Sequence, residues 1–268
     1  MTEWPLTSDA SRQRIVERSE TITRVKQVAR RHLVEHGVPG VHLPAIAREL
    51  AMPVHEISRY VASLDTLLAE LVADLWGELA DAIEAATSVS STLIWDRMVD
   101  GARALRRWAI THPQEFRLLF GISNPAATVL PDAPYVMSGH RFGDAFGVLF
   151  VELWDSRRFP TEPLEPELEE AMRDYSERVG LPLPPEAVAV FVGCWTRLYG
   201  AITLDVLGHV ELSAHNAERF FERELTSIGL ALGATAEDLL SRTERPHDVQ
   251  LPAQDIDGAQ AAPASQPD

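Results

Sequence analysis

Residues 22–68 read ITRVKQVARRHLVEHGVPGVHLPAIARELAMPVHEISRYVASLDTLL. Val25, Val28, Ala29 and Leu33 recur at helical spacing and predict the buried stripe of a first helix. Gly37 is a suitable stop for it, and Pro39-Gly40 makes a turn. Leu43, Ile46, Ala47 and Leu50 then share one face of a short second helix. Ala51-Met52-Pro53 breaks that helix, and a third is expected from Val54 to Tyr60. Two short helices about a three-residue turn, braced by a preceding helix, form a helix-turn-helix unit.

The same residues follow, in order, the pattern of one regulator family. They supply a helix closed by Gly37, Ile46-Ala47 on the second helix and Arg59-Tyr60 on the third. Ser63 and Asp65 open a fourth, with Leu67-Leu68 behind them. The chain resembles a TetR-family transcriptional regulator. It departs from the pattern at Ala51, where the family usually has the turn glycine, and at Pro53, where it has a small hydroxyl cap. Ser58 replaces the signature tyrosine, Val61 a buried phenylalanine, and Leu64 a lysine or arginine. The resemblance implies a double-stranded DNA operator as partner. His55, Glu56 and Arg59 would lie nearest base edges, while Arg24, Lys26, His42 and Tyr60 would complete the DNA-binding set. Because Ser58 and Leu64 supply little phosphate contact, binding should depend only shallowly on salt. An alternative is a helical ligand-binding or protein-interaction module whose altered head no longer reads DNA.

The net charge of −16 divides unevenly. Residues 1–68 hold nine Lys or Arg against eight Asp or Glu, and residues 69–268 hold fifteen against thirty-two. The head is thus near neutral, with Arg12, Arg14, Arg18, Arg24, Lys26, Arg30 and Arg31 gathered around its first helix. Local field matters more than total charge to a phosphate partner, since distant exposed charges are screened. The single cysteine, Cys194, excludes an intramolecular disulfide and fits a reducing cytoplasm. No signal-peptide-like run or membrane span is expected from the apolar patterning. Residues 1–19 read as a flexible arm, 20–65 as the DNA-binding domain, 66–240 as a helical effector-binding and dimerisation domain, and 241–268 as a disordered tail rich in Pro, Ala, Gln and Asp.

Beyond the head, a long helix over Leu64–Ala86 carries Leu71, Leu75 and Leu79 on one face and should link head to body. Further helices are expected over Thr92–Thr111, Gln114–Phe120, Tyr135–Ser156, Glu165–Val179, Glu186–His209 and Ser213–Leu232, with a loop from Ile122 to Pro134. The fold class is therefore all-α. Two later stretches, HPQEFRLLFG at 112–121 and CWTRLYGAITLDVLGH at 194–209, are similar to an actinobacterial-type branch of the family with a WHG-type C-terminal domain. Trp195, Gly200 and Gly208 match that motif, and Tyr199 replaces its histidine.

The resemblance also implies a small apolar or amphipathic effector. Met98, Phe116, Phe120, Phe142, Phe146, Trp195 and Tyr199 come from the helices that surround such a pocket in the family. The last two apolar helices should pair with their mates in a homodimer through Phe191, Leu198, Gly200, Ile202, Phe221, Leu225 and Ile228. The string His32-Leu33-Val34-Glu35-His36 spells a zinc-protease-like HxxEH but names no third ligand, so it reads as a chance match. His209, Glu211 and His215 straddle a helix break and read as surface groups. No metal, cofactor or catalytic constellation is expected. The chain reads as a cytoplasmic, ligand-responsive regulator, a repressor rather than an enzyme.

Overall fold

A computed structural model of the protein describes residues 9–89, 93–121, 134–210, 212–235 and 238. Those residues form ten α-helices and one 3-10 turn, with no strand among them. The all-α expectation therefore holds. Of the loop expected from Ile122 to Pro134, residues 122–133 lie outside the described residues, as do the tail from 241 and Glu211, while Pro134 opens a helix.

The head is α1 (Asp9–His36), a 3-10 turn (Val38–Gly40), α2 (Leu43–Glu49) and α3 (Val54–Ile57). Val25, Ala29, Leu33, Ile46, Ala47, Ile57 and Val61 are buried together as its core. Helix α1 begins well before its apolar stripe, so residues 9–19 of the flexible arm expected over 1–19 are helical, while residues 1–8 lie outside the described residues. From Asp9 to His36 the sequence holds no glycine or proline, so helix propagates back from the packed half. Gly37 ends it at φ 70, in the left-handed region that glycine enters without a Cβ clash.

The α2–α3 turn closes as a Schellman motif. Met52 N–H donates to the Ala47 carbonyl at 2.9 Å and Ala51 N–H to that of Arg48 at 3.2 Å. Ala51 occupies the left-handed position at φ 53, where a glycine would sit without strain. Pro53 stands at the cap of α3 and makes no side-chain cap bond. Helix α3 is shorter than the expected Val54–Tyr60. The Ser58 hydroxyl bonds back to the Val54 carbonyl, and the chain continues through Arg59 and Tyr60 as tight turns.

Helix α4 (Leu64–Val89) is capped by Ser63, whose hydroxyl accepts from Thr66 N–H at 3.1 Å. It joins head to body. Leu67 and Leu71 face the head core, while Leu75, Leu79 and Ile83 continue the same apolar cluster into the body. There α4 packs against α5 (Ile94–Thr111) and α7 (Pro134–Arg157), with α6 (Pro113–Phe120) closing toward the head. Helix α8 (Pro166–Val179) lies on α9 (Pro185–Val206), which packs on α10 (Ala214–Ala231). A second cluster, with Trp95, Phe150, Leu153, Val188 and Leu232, fills the end of the body.

Candidate functional site

A cavity of about 530 Å³ opens in the body. Trp76 of α4 and Phe120 of α6 form part of its wall. Helix α7 supplies Phe142, Phe146 and a line of glycines, Gly139, Gly143 and Gly147. Helix α9 supplies Phe191, Trp195 and Tyr199, and the α8 end brings Tyr175, Val179 and the Gly180-Leu181-Pro182 turn. The rings interlock. Trp76 meets Phe120 and Phe142 at 5.0 Å each, and Trp195 meets Phe142 at 5.5 Å and Tyr199 at 5.9 Å. The Tyr199 hydroxyl donates to the Phe120 carbonyl at 3.1 Å and ties α9 to the end of α6. A mostly apolar hollow with few polar groups suits a small-molecule ligand.

Five of the seven side chains expected at a pocket line this cavity: Phe120, Phe142, Phe146, Trp195 and Tyr199. Two do not. Phe116 is buried behind Phe120, with ring centroids 4.7 Å apart. Met98 lines a smaller hollow of about 60 Å³ between α5, α7, α9 and α10. Phe146, Phe191 and Trp195 line both hollows. Cys194 also faces the smaller one, and burial pushes its thiol up to about 11, so it stays protonated and unreactive at neutral pH. Sequence reading missed Trp76, which lies beside the leucine stripe of α4. It also missed the glycine line, whose four-residue spacing on one helical face was the available signal.

In the head, Arg24, His42, His55 and Arg59 are exposed, Glu56 is half-buried, and Tyr60 packs partly against the core. Lys26 does not join them. Its ammonium pairs with Asp74 of α4 at 2.5 Å, so it braces α1 on the linking helix instead of standing free for phosphate. Of the basic residues gathered on α1, Arg18 reaches the end of α3: its Nη1 donates to the Arg59 carbonyl at 2.9 Å while its guanidinium lies 5.6 Å from the Tyr60 ring centroid. His32 of the HxxEH string bonds Glu49 at 2.8 Å. Among the described residues no group of three or more His, Cys, Asp or Glu is placed to hold a metal.

Head and body are also joined by a charged knot. Arg30 of α1 makes two hydrogen bonds to Glu78 of α4, at 2.6 and 3.1 Å, and one to Glu115 of α6 at 3.2 Å. Trp108 Nε1 of α5 donates to Glu78 at 3.1 Å. Burial pushes the Glu78 carboxyl up, but the hydrogen bonds from Arg30 and Trp108 and the nearby positive charge outweigh it, and the net shift is below the ordinary value. Glu115 is fully buried against this guanidinium. Helix α4, expected to link head to body, is thus joined by a second, side-chain contact between them. Helix α6, which ends at Phe120 in the cavity wall, touches α1 through Glu115.

Residues 98–228 match the family model for the tetracyclin repressor-like C-terminal domain. HTH-type transcriptional regulators of Mycobacterium tuberculosis (Rv1816) and Mycobacterium bovis (Mb1846) are each 30% identical over 197 residues, covering 71% of this chain and 82% of theirs. The chain belongs to the TetR family. Among solved structures, the regulatory protein SCO4313 superposes with a TM-score of 0.61 at 22% identity, over 79% of this chain and 96% of its own. RolR, solved in complex with resorcinol, superposes at 0.53 with 14% identity, over 87% of this chain and 97% of its own. The protein is accordingly a TetR-family, HTH-type transcriptional regulator.

One further part of this TetR-family body differs from expectation. Leu198, Ile202, Phe221 and Leu225, expected at a dimer interface, are 7%, 1%, 3% and 6% exposed within the protomer and belong to its core. Phe191 is a cavity wall, and Ile228 packs between the two apolar clusters. Gly200 alone of that set remains on the outer side, where an added Cβ would meet nothing within 4 Å. The outward faces carry Gly193, Arg197 and Leu204 on α9 and Phe220, Arg223 and Leu230 on α10. Arg197 and Glu224 bridge the two helices at 2.9 Å. Helix α9 is apolar nearly all round, so its periodicity left the rotation open.

Proposed function

We propose that this TetR-family regulator is a homodimeric repressor that releases its operator when a small apolar ligand fills the aromatic cavity. The observation that carries the reading is the cavity's place in the fold. Its walls include α4 and α6, and both reach the head, α4 by continuing into it and α6 by the Glu115–Arg30 bond. A ligand that favours one position of these helices would shift the head with them, since only differential affinity for two states moves an equilibrium. The fold-level likeness to RolR, whose solved complex holds resorcinol, agrees with a small-molecule effector.

Dimerisation would use the outward faces of α9 and α10. Helix α9 is long and apolar enough to cross a membrane, yet only 28% of its most apolar 18-residue window is buried. Pairing around Gly193, Gly200, Leu204, Phe220 and Leu230 would cover that surface in a four-helix arrangement. Two heads would then meet successive major grooves, about 34–36 Å apart or somewhat more. In each, His55, Glu56 and Arg59 would face base edges, with Arg24 and Tyr60 on the backbone. As a DNA-binding regulator it would act in the cytoplasm.

The test is a mobility-shift titration on the promoter region beside the protein's own gene, repeated with hydrophobic metabolites. Retarded DNA that is released by a compound also raising the melting temperature supports the reading. At a hundredfold excess over Kd such a ligand stabilises the fold by about 2.7 kcal/mol. A screen in which DNA is bound but no compound alters either quantity would place control outside the cavity.

A further inference from the structure

We propose that the cavity is selective for a flat organic cation, a ring system bearing an amine or quaternary ammonium, over a carboxylic acid of the same shape. This rests on the reading of the cavity as the effector site and adds the chemistry of what enters it. Three features point the same way. Among the described lining residues there is no lysine or arginine, and Asp144 is the one carboxylate. Asp144 makes no ion pair among the described residues, whereas its neighbour Arg141 is committed outward to Asp81 at 2.7 Å and Glu84 at 2.5 Å. His140 lines the cavity as well, while the guanidinium of Arg178, 5.6 Å from the Tyr175 ring centroid, belongs to no lining residue.

The second feature is the ring faces. Trp76, Phe142, Trp195 and Tyr199 line the cavity, and aromatic rings attract cations over their negative faces, most strongly where water is excluded. A carboxylate entering the same space would lose hydration and meet no lysine or arginine among the described lining residues. Residues 69–268, with thirty-two acidic against fifteen basic residues, add a long-range bias of the same sign.

The third is shape. Gly139, Gly143 and Gly147 are four residues apart on α7 and so share one face. A Cβ on Gly143 would meet nothing within 4 Å, so at this point the helix backbone is a bare wall beside open space. A planar molecule can lie against such a wall with aromatic rings across from it. The volume of about 530 Å³ admits several fused rings.

The experiment uses the full-length protein and three fluorescent probes of one shape: pyrenemethylamine, pyrenemethanol and pyrenecarboxylate. Titrations at neutral pH should find the amine bound at least tenfold more tightly than the carboxylate, with the alcohol between. Asp144→Asn should bring the amine to the alcohol's level and leave the alcohol unchanged. Gly143→Leu, which fills the cavity without backbone strain, should weaken amine and alcohol at least tenfold while leaving the melting temperature intact. A carboxylate bound as tightly as the amine, and lost in Gly143→Leu, would overturn the cation proposal and leave the effector-cavity reading standing. An amine preference that survives both substitutions would be surface attraction and overturns the proposal. If no probe binds, or none responds to Gly143→Leu, the cavity reading fails and the proposal with it.

Discussion

Ala51 holds the turn of the helix-turn-helix at φ 53, a conformation that costs a non-glycine residue about 1–2 kcal/mol. The Schellman hydrogen bonds from Met52 and Ala51 are what keep it there. Ala51→Gly should relieve the strain, partly offset by the larger unfolded-state freedom of glycine, for a net gain of up to about 1 kcal/mol. The expected outcome is a higher urea midpoint at unchanged m-value, and a lower midpoint would mean that the left-handed turn is not the populated one. Arg59 presents a different question. Its carbonyl is occupied by Arg18, but its own side chain is exposed. If it reads a guanine, Arg59→Ala should weaken operator binding by about 1–3 kcal/mol and relax preference at one base pair. Equal affinity of wild type and variant for the operator would remove Arg59 from the readout.

At the scale of elements, the unassigned apolar surface lies on α9 and α10, with Leu204 at 41%, Phe220 at 47% and Leu230 at 56% exposure. Leu204→Glu or Phe220→Glu should therefore turn a dimer into a monomer and abolish operator binding together, with the fold intact by circular dichroism. Light scattering that still reports a dimer for both variants would move the interface elsewhere. The contrast with Leu225, which is buried inside the protomer, shows what sequence could and could not convey. Apolar spacing placed the helices that face the core, because a stripe needs only a core to face, but it missed the start of α1, which lies ahead of any stripe. It could not choose between faces on α9, where core, cavity and outer surface all take apolar residues. The head was read from its breakers, Gly37 and Pro53, and those are local. The pairing of Lys26 with Asp74 and of Arg30 with Glu78 and Glu115 joins residues from 48 to 85 positions apart in sequence. No local pattern encodes such partners. Trp76 was missed for a related reason: an aromatic beside a leucine stripe looks like core until α6 and α7 are seen to leave space against it.

For the whole molecule, the junction of head and body is where stability and regulation meet. Arg30→Ala would leave the buried Glu115 carboxylate unpaired, and since the guanidinium is partly exposed the cost should be about 2–3 kcal/mol, below that of a fully buried pair. Acid should act on the same knot. The Glu78 carboxyl is held below its ordinary value of 4.5 in the folded state, so its contribution is fully present above that pH and is lost as pH falls through the lower folded value. Glu78→Gln should flatten the stability-versus-pH curve below pH 4.5, and a curve identical to wild type would show that the knot does not form in solution.

Coupling can be separated from both. Phe120 at the end of α6 lines the cavity and accepts a hydrogen bond from Tyr199, while Glu115 on the same helix holds Arg30 of α1. A ligand that displaces Phe120 or Tyr199 would pull on α6 and, through Glu115, on the head. Glu115→Gln keeps the size of the side chain and an acceptor for Arg30 but removes the charge, and Arg30 retains its two bonds to Glu78. Ligand affinity of the free protein and operator affinity without ligand should each stay within about twofold of wild type, a difference of roughly 0.4 kcal/mol. The ratio of operator affinities with and without ligand should fall, by an amount on the order of 0.5–2 kcal/mol of coupling. Coupling is reciprocal, so operator DNA should also weaken ligand binding less in the variant than in wild type. A variant with full ligand response by both measurements would confine the signal to α4.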